Sequence, residues 1–406
     1  MFYFLAPAGI PISLEDISKA VRLKKSGMSY SAIFLEHIAE IVDSDYAFDF
    51  NSGRTALAVI LDALSELADD GRNEIVIPAY TCYSVASAVI RCGLKIRLCD
   101  VDPTTLDYDY EKLYETDTSH VLAVVACSLF GVSCDWESLG QLQRENGYFL
   151  IDDAAQSFGV ESDKCAPGTR GDVGFYSFGR GKNLTTYSGG AAVTDNDDIA
   201  RKIEEKSAGL SHTSRVSDGI ALGKMLAYGL LLRPELYWIP NSIPFLGIGE
   251  TIFDPDFPMA RMREMNCRLG SVLLDRIGLL NSIRIGIADT LLNRLRDCPG
   301  LEFPGYEGGA VIPYLRLPIL MANKSVRDTA ISRLRAAGIG ASPMYPSTIA
   351  EIPAIDAHLG ERSGELPGAK EIADRLLTLP THPYVTGQDI ERMIKLVTSV
   401  VTKGGE

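Results

Sequence analysis

From about residue 45 onward the chain repeats one unit: a short, nearly continuous apolar run ending in small or polar residues, then a helix-like segment. The runs are NEIVIPAY, KIRLCDVD, VLAVVACSLFG, YFLIDDAAQS and DVGFYSFG; TALAVILDALSEL and SCDWESLGQLQRENG are two of the segments between them. A strand that is apolar throughout must be covered on both faces, and strands separated by helices pair in parallel. The pattern predicts an α/β large domain on a mostly parallel sheet. In such sheets ligands collect outside the carboxyl ends of the strands, so the polar residues that close each run fall on one edge.

With 406 residues there is room for a second unit. After about residue 215 the character changes to an apolar, Pro-broken stretch, and beyond it RMREMNCRLGSVLLDRIGLLNSIRIGIADTLLNRLRD carries one long helical pattern. The last hundred residues mix strands and helices as a smaller α+β domain does. The expected division is residues 1–250, an N-terminal arm and large domain, and residues 251–406, the C-terminal small domain.

The apolar stretch over 219–253 is interrupted by Pro240 and Pro244, and its uncharged part is shorter than the ~18 residues a membrane span needs. It reads as a core or dimer-interface element, with a membrane-surface or lipid-substrate lip as the other reading. A net charge of −14 without any Lys/Arg run excludes a nucleic-acid surface. The eight cysteines form no CxxC pair and have no histidine at metal spacing, so they read as mostly buried free thiols in a cytoplasmic protein without a metal. MFYFLAPAGIPIS lacks a basic leader and is broken by Pro7 and Pro11; it reads as an arm packed on the body or on a partner subunit.

Two strand ends carry chemistry that fits together. LIDDAAQS supplies a carboxylate, Asp153, and GFYSFGRGKNLTTYSGG supplies an amine, Lys182, about thirty residues later. Pyridoxal phosphate (PLP) needs that pair, an amine to hold its aldehyde and a carboxylate to keep its pyridine nitrogen protonated. It also needs a phosphate cup. NSGRTAL offers Gly53 for close backbone approach, Thr55 for a hydroxyl, and a helix N-terminus that favours an anion.

With these landmarks the sequence resembles the DegT/DnrJ/EryC1/StrS aminotransferases over roughly residues 45–400. The motifs that carry the resemblance are SGRTAL, EIVIPAYTCYSVASAVIRCGLKIRLCDVDPTTL, CSLFGVSCD, LIDDAAQSFG, GDVGFYSFGRGKNLTTYSGG, RMREMNCRLGSVLLDRI, MYPS and LTLPTHPYVTGQDIERMI. The resemblance implies the aspartate-aminotransferase-like fold of PLP enzymes (fold type I). It makes Lys182 the Schiff-base lysine and proton shuttle, Asp153 the pyridinium partner, Gln156 the contact to the ring's 3-oxygen, and Ser177 a phosphate ligand with Gly53, Arg54 and Thr55. Where the family has an aromatic residue stacking on the cofactor ring, this chain has Cys82, which leaves stacking to Tyr80 or Tyr83. Met259 stands where a partner-subunit asparagine usually precedes Arg261, and Ser188 replaces an acidic residue.

The activity implied is transfer of an amino group from a donor, usually L-glutamate, to a keto sugar linked to a nucleotide, for polysaccharide or secondary-metabolite synthesis, by a homodimer. The alternatives within the resemblance are a PLP-dependent sugar dehydratase and a non-catalytic regulatory homologue. Lys182 in place argues for the transaminase.

Overall fold

The computed structural model describes residues 3–24, 27–68, 71–160, 165–211, 215–243, 252–306, 311–360 and 364–402. Its largest element is a seven-stranded sheet of β1 (Tyr46–Phe50), β2 (Glu74–Pro78), β3 (Lys95–Cys99), β4 (Val121–Cys127), β5 (Phe149–Asp153), β6 (Val173–Ser177) and β7 (Gly190–Thr194). The spatial order is β1-β7-β6-β5-β4-β2-β3. The five strands from β6 to β3 are parallel, while β7 runs antiparallel to both β6 and β1. β2 and β4 are buried at every residue, as continuous apolar runs require when helices cover both faces.

The strands that the apolar-run pattern does not show are β1 and β7. β7 is GAAVT, small because its start is pressed against another backbone: a Cβ on Gly190 would sit 2.5 Å from the Gly53 nitrogen. The close approach holds the start of this strand to small residues and leaves only Val193 and Thr194 of the β-branched kind by which strands are recognised.

A second, antiparallel sheet has the order β10-β9-β8, with β8 (Leu301–Glu302), β9 (Arg316–Met321) and β10 (Leu376–Pro380). The long helical pattern after residue 260 becomes two helices, Glu264–Leu274 and Ile277–Leu295. Between them Arg276 turns back to pair with Asp16 at 2.6 Å, fastening the first helix, Leu14–Arg22, to the break. Glu264–Leu274 packs on the N-terminal helices Leu14–Arg22 and Tyr30–Val42, whereas Ile277–Leu295 packs on the last helix, Gly387–Val401. The Pro-broken stretch forms the helices Arg215–Leu231 and Pro234–Asn241; its residues 244–251 lie outside the described residues. Among the described residues no helix is long and apolar enough to cross a membrane.

The N-terminal arm is sewn to both units. Phe4 N–H donates to Pro234 O and Leu5 N–H to Gly338 O, both at 2.8 Å, and the buried Arg284 donates to Gly9 O at 3.1 Å. His382, 1 % exposed, donates from Nε2 to Ala6 O at 2.7 Å, and its Nδ1 accepts the Tyr384 N–H at 3.3 Å. Both ring nitrogens are satisfied only in the neutral form, and burial, helped by Arg284 and Arg316, pushes its pKa down to about 4. A histidine whose folded pKa lies below its unfolded value of ~6.5 adds stability above that value. That stability is lost as pH falls from about 6.5 through 4, up to about 3 kcal/mol. Denaturant unfolding at stepped pH should therefore show a steeper acid loss in the native protein than in His382→Gln; equal slopes would mean this ring is not the sensor.

Candidate active site

The registers place the candidate residues along one edge of the large sheet. Phe50 pairs with Gly190, Gly190 with Ser177, Phe175 with Asp153, and Asp153 with Cys127, so the carboxyl ends of β1, β6, β5 and β4 meet the start of β7. Beyond β1, Ser52 caps the helix Gly53–Leu67, its side chain accepting the Thr55 N–H at 3.2 Å. That helix leaves its first amides without partners of its own, facing the strand ends. A Cβ on Gly53 would lie 2.9 Å from Ser177 Cβ, so only glycine lets the helix start come this close to Ser177. Thr55, fully buried, donates its hydroxyl to Asn51 Oδ1 at 2.6 Å. Arg54 turns elsewhere: it lies 3.6 Å from an Asp254 carboxylate oxygen, and its guanidinium lies 4.9 Å from the centre of the Phe257 ring.

The two aspartates ending β5 face opposite sides, as successive strand residues must. Asp152 accepts the Gly168 N–H at 2.6 Å, and burial pushes its pKa up to about 7. Asp153 faces the candidate site. It accepts the Ala155 N–H at 3.0 Å and lies 3.6 Å from Cys127 Sγ; burial raises its pKa, opposed by that amide and by the Lys182 charge. Lys182 follows β6 in a turn closed by Thr186 N–H to Phe178 O and Phe178 N–H to Gly189 O. The threonines serve this turn: Thr185 Oγ1 donates to Phe178 O and Thr186 Oγ1 to Ser188 O. The Ser188 carbonyl also accepts from Asn266 Nδ2 at 2.7 Å. Desolvation lowers the Lys182 pKa, Cys82 and Asp153 oppose that, and Arg316 adds to it.

Lys182 lines a cavity of about 430 Å³. Its lining combines cations, Arg180, Lys224 and Arg316, with apolar residues, Ala227, Leu231, Leu232 and Pro240 from the two helices of the Pro-broken stretch and Pro7 and Ala8 from the arm. Cys82 and Tyr345 complete the wall near the lysine. The Tyr345 hydroxyl accepts from Gln156 Nε2 at 3.3 Å, while Gln156 Oε1 accepts the Phe130 N–H at 3.1 Å.

The structure therefore brings Lys182 and Cys82 into one cavity, sets Asp153 and Gln156 beside it, and joins Gly53, Thr55 and Ser177 along the same sheet edge. Tyr80 and Tyr83 stand behind the wall. The Tyr80 hydroxyl lies 3.1 Å from Pro343 O and accepts the Tyr345 N–H at 3.3 Å, and the Tyr83 hydroxyl lies 2.7 Å from Ser347 Oγ. Both rings pack against Tyr345, with centroids 5.5 and 6.1 Å away. Met259 packs against the main core, and Arg261 pairs with the buried Asp49 at 2.5 Å. Sequence reasoning passed over Arg316 and Tyr345. The visible signals were a lone charge opening the apolar strand RLPILM, and the tyrosine of MYPS.

These groups suit PLP: a close-packed glycine and helix start for phosphate, an ionisable carboxylate and an amide for the ring, and an amine with a depressed pKa. Among known proteins, a sequence model of the DegT/DnrJ/EryC1/StrS aminotransferase family matches residues 13–398. GDP-perosamine synthase of Caulobacter vibrioides is 26 % identical over 372 residues, 91 % of this chain and 89 % of that protein. The dTDP-3-amino-3,4,6-trideoxy-alpha-D-glucose transaminase of Micromonospora megalomicea is 26 % identical over 354 residues, 87 % and 84 % of the two chains. Helicobacter pylori PseC, an aminotransferase involved in the biosynthesis of pseudoaminic acid, shares the fold with a TM-score of 0.79 at 19 % identity, over 98 % of this chain and all of that one. With a family match that spans nearly its whole length and a lysine, a carboxylate and a glycine-opened helix start on one sheet edge, the chain belongs to the DegT/DnrJ/EryC1/StrS family and is a PLP-dependent aminotransferase.

Proposed function

We propose that the protein moves an amino group from L-glutamate to a nucleotide-linked keto sugar, with Lys182 as the residue that moves the proton. The observation that carries this reading is the Lys182 amine, lowered in pKa, in a cavity walled by cations and beside Asp153 and Gln156. Bound PLP would supply an electron sink for charge that develops at the substrate carbon. Asp153 would hold a proton on the pyridine nitrogen, Gln156 would bind at the ring oxygen, and Gly53, Thr55 and Ser177 would hold the phosphate. Lys182 Nζ, whose charged form burial disfavours, takes a proton from the donor carbon and returns one to the acceptor carbon.

Arg180 and Lys224 suit the phosphates of a sugar nucleotide, a local positive wall on a chain of net charge −14. The apolar wall from Ala227 to Pro240 suits the C–H faces of a sugar better than a second charged group. The sugar-nucleotide names of the two curated relatives support the same substrate class. A cytoplasmic homodimer, divided near residue 250 into large and small domains, belongs to this proposal. Light scattering that shows a stable monomer would remove its dimeric part.

The test is the visible spectrum of the PLP-loaded protein before and after L-glutamate. The expected result is conversion of the aldehyde band to the amine form within the mixing time of a manual assay. PLP that binds yet ignores every amino donor would instead support the regulatory homologue.

A further inference from the structure

Arg316 opens β9, its side chain on the cavity wall and Pro380 of β10 as its backbone partner. Its guanidinium makes one neutral contact, Nη1 to Ser342 Oγ at 2.8 Å, and its buried Nε has no hydrogen-bond partner. No ion pair to Arg316 occurs among the described residues, and the cavity lining contains no aspartate or glutamate. Arg284 shows what a structural arginine does nearby: its buried Nε is likewise without a partner, but its two Nη atoms donate to Leu315 O at 3.2 Å and to Gly9 O at 3.1 Å, stitching backbone to backbone. Arg316 stitches nothing comparable.

A partly dehydrated guanidinium without a counter-ion is costly to keep, and its planar fork matches a carboxylate bidentately. Its charge is also felt at Lys182, the group that handles the proton. An amino-acid donor must place its amine-bearing carbon at Lys182, and that carbon carries a carboxylate. Resting on the transaminase reading, we propose that Arg316 is the receptor for the carboxylate of the amino donor.

A carboxylate on the acceptor sugar is the other source of the same chemistry, and the two half-reactions separate them. In the PLP-loaded protein, Arg316→Met and Arg316→Lys are compared with the native chain in three readouts: PLP affinity, the band shift produced by maleate, a non-reacting dicarboxylate, and the L-glutamate half-reaction. The expected result is unchanged PLP affinity, loss of the maleate shift, and a rise on the order of 10- to 100-fold in the glutamate concentration for half-maximal rate. A simple alkylamine should react equally with all three proteins. Arg316→Lys keeps the charge and carries the test if the methionine variant does not fold.

Native-like glutamate kinetics in the variants would overturn the proposal, and a defect confined to the acceptor half-reaction would assign Arg316 to the acceptor instead. Lost PLP affinity would overturn it too, by placing Arg316 in the cofactor site. If the native protein ignores glutamate yet its maleate shift depends on Arg316, the carboxylate receptor stands and the choice of glutamate falls.

Discussion

Replacing Lys182 with alanine is expected to cut turnover by on the order of 10⁴-fold or more while leaving a folded protein that still binds PLP. The side chain is held in a turn whose closure relies on Phe178, Thr185, Thr186 and Gly189, none of which bonds to the lysine amine. Truncation removes a desolvated amine and leaves the turn. Because desolvation lowers the lysine's pKa, its charged form is the one disfavoured by folding, so alanine is expected to be neutral or slightly stabilising near and below pH 7. Lys182→Arg should fail equally, since a guanidinium stays protonated and cannot accept the proton. Partial recovery of Lys182→Ala by an added small amine would tie the defect to the missing base. A variant that turns over at the native rate would remove Lys182 from the mechanism.

Asp153→Asn is expected to lower turnover by about 10²- to 10³-fold, the scale of losing one partner of a buried charge pair. Asparagine can still accept the Ala155 N–H that Asp153 accepts at 3.0 Å, so the end of β5 keeps its local bonding. What it loses is the negative charge. Burial already raises the Asp153 pKa, so its ionised form costs stability as pH rises above the ordinary carboxylate range. The protein without cofactor should therefore be as stable as the native chain, or more so, at neutral pH. The same change removes a charge that holds the Lys182 pKa up, and the pH at which the lysine titrates should fall. Thermal melts together with pH–rate profiles check both consequences. A native turnover number in Asp153→Asn would show that another group supplies the negative charge.

Much of this was legible because parallel strands must be apolar on both faces. β2 to β6 stand out in the sequence for that reason, and their polar endings mark the edge where Asp153 and Lys182 sit. β7 did not stand out because close contact at Gly190 demands a small residue at its start, and β1 did not because the buried Asp49 interrupts the short run YAFDF. The break at Asp275–Arg276 was hidden too: helical periodicity runs through it, and its reason is Asp16, 260 positions earlier. In the site, groups attached to a motif could be found by spacing. Arg54 could not be placed from sequence, since its preference for Asp254 and Phe257 depends on how residues 252–257 fold back. Likewise Tyr80 and Tyr83 are directed by Tyr345, a long-range contact that no local pattern records.

The cavity wall takes residues from both ends of the chain: Pro7 and Ala8, then Cys82, Lys182 and Leu231, and finally Arg316 and Tyr345. The residues just before Pro7 are held down by residues that come late in the chain, Leu5 by Gly338 and Ala6 by His382. During synthesis the large sheet can form while the chain is still on the ribosome, since β7 ends at Thr194. The enclosed pocket cannot, because residue 382 must emerge before the arm has its latch. Truncated products ending before that point would carry the lysine but lack the closed wall.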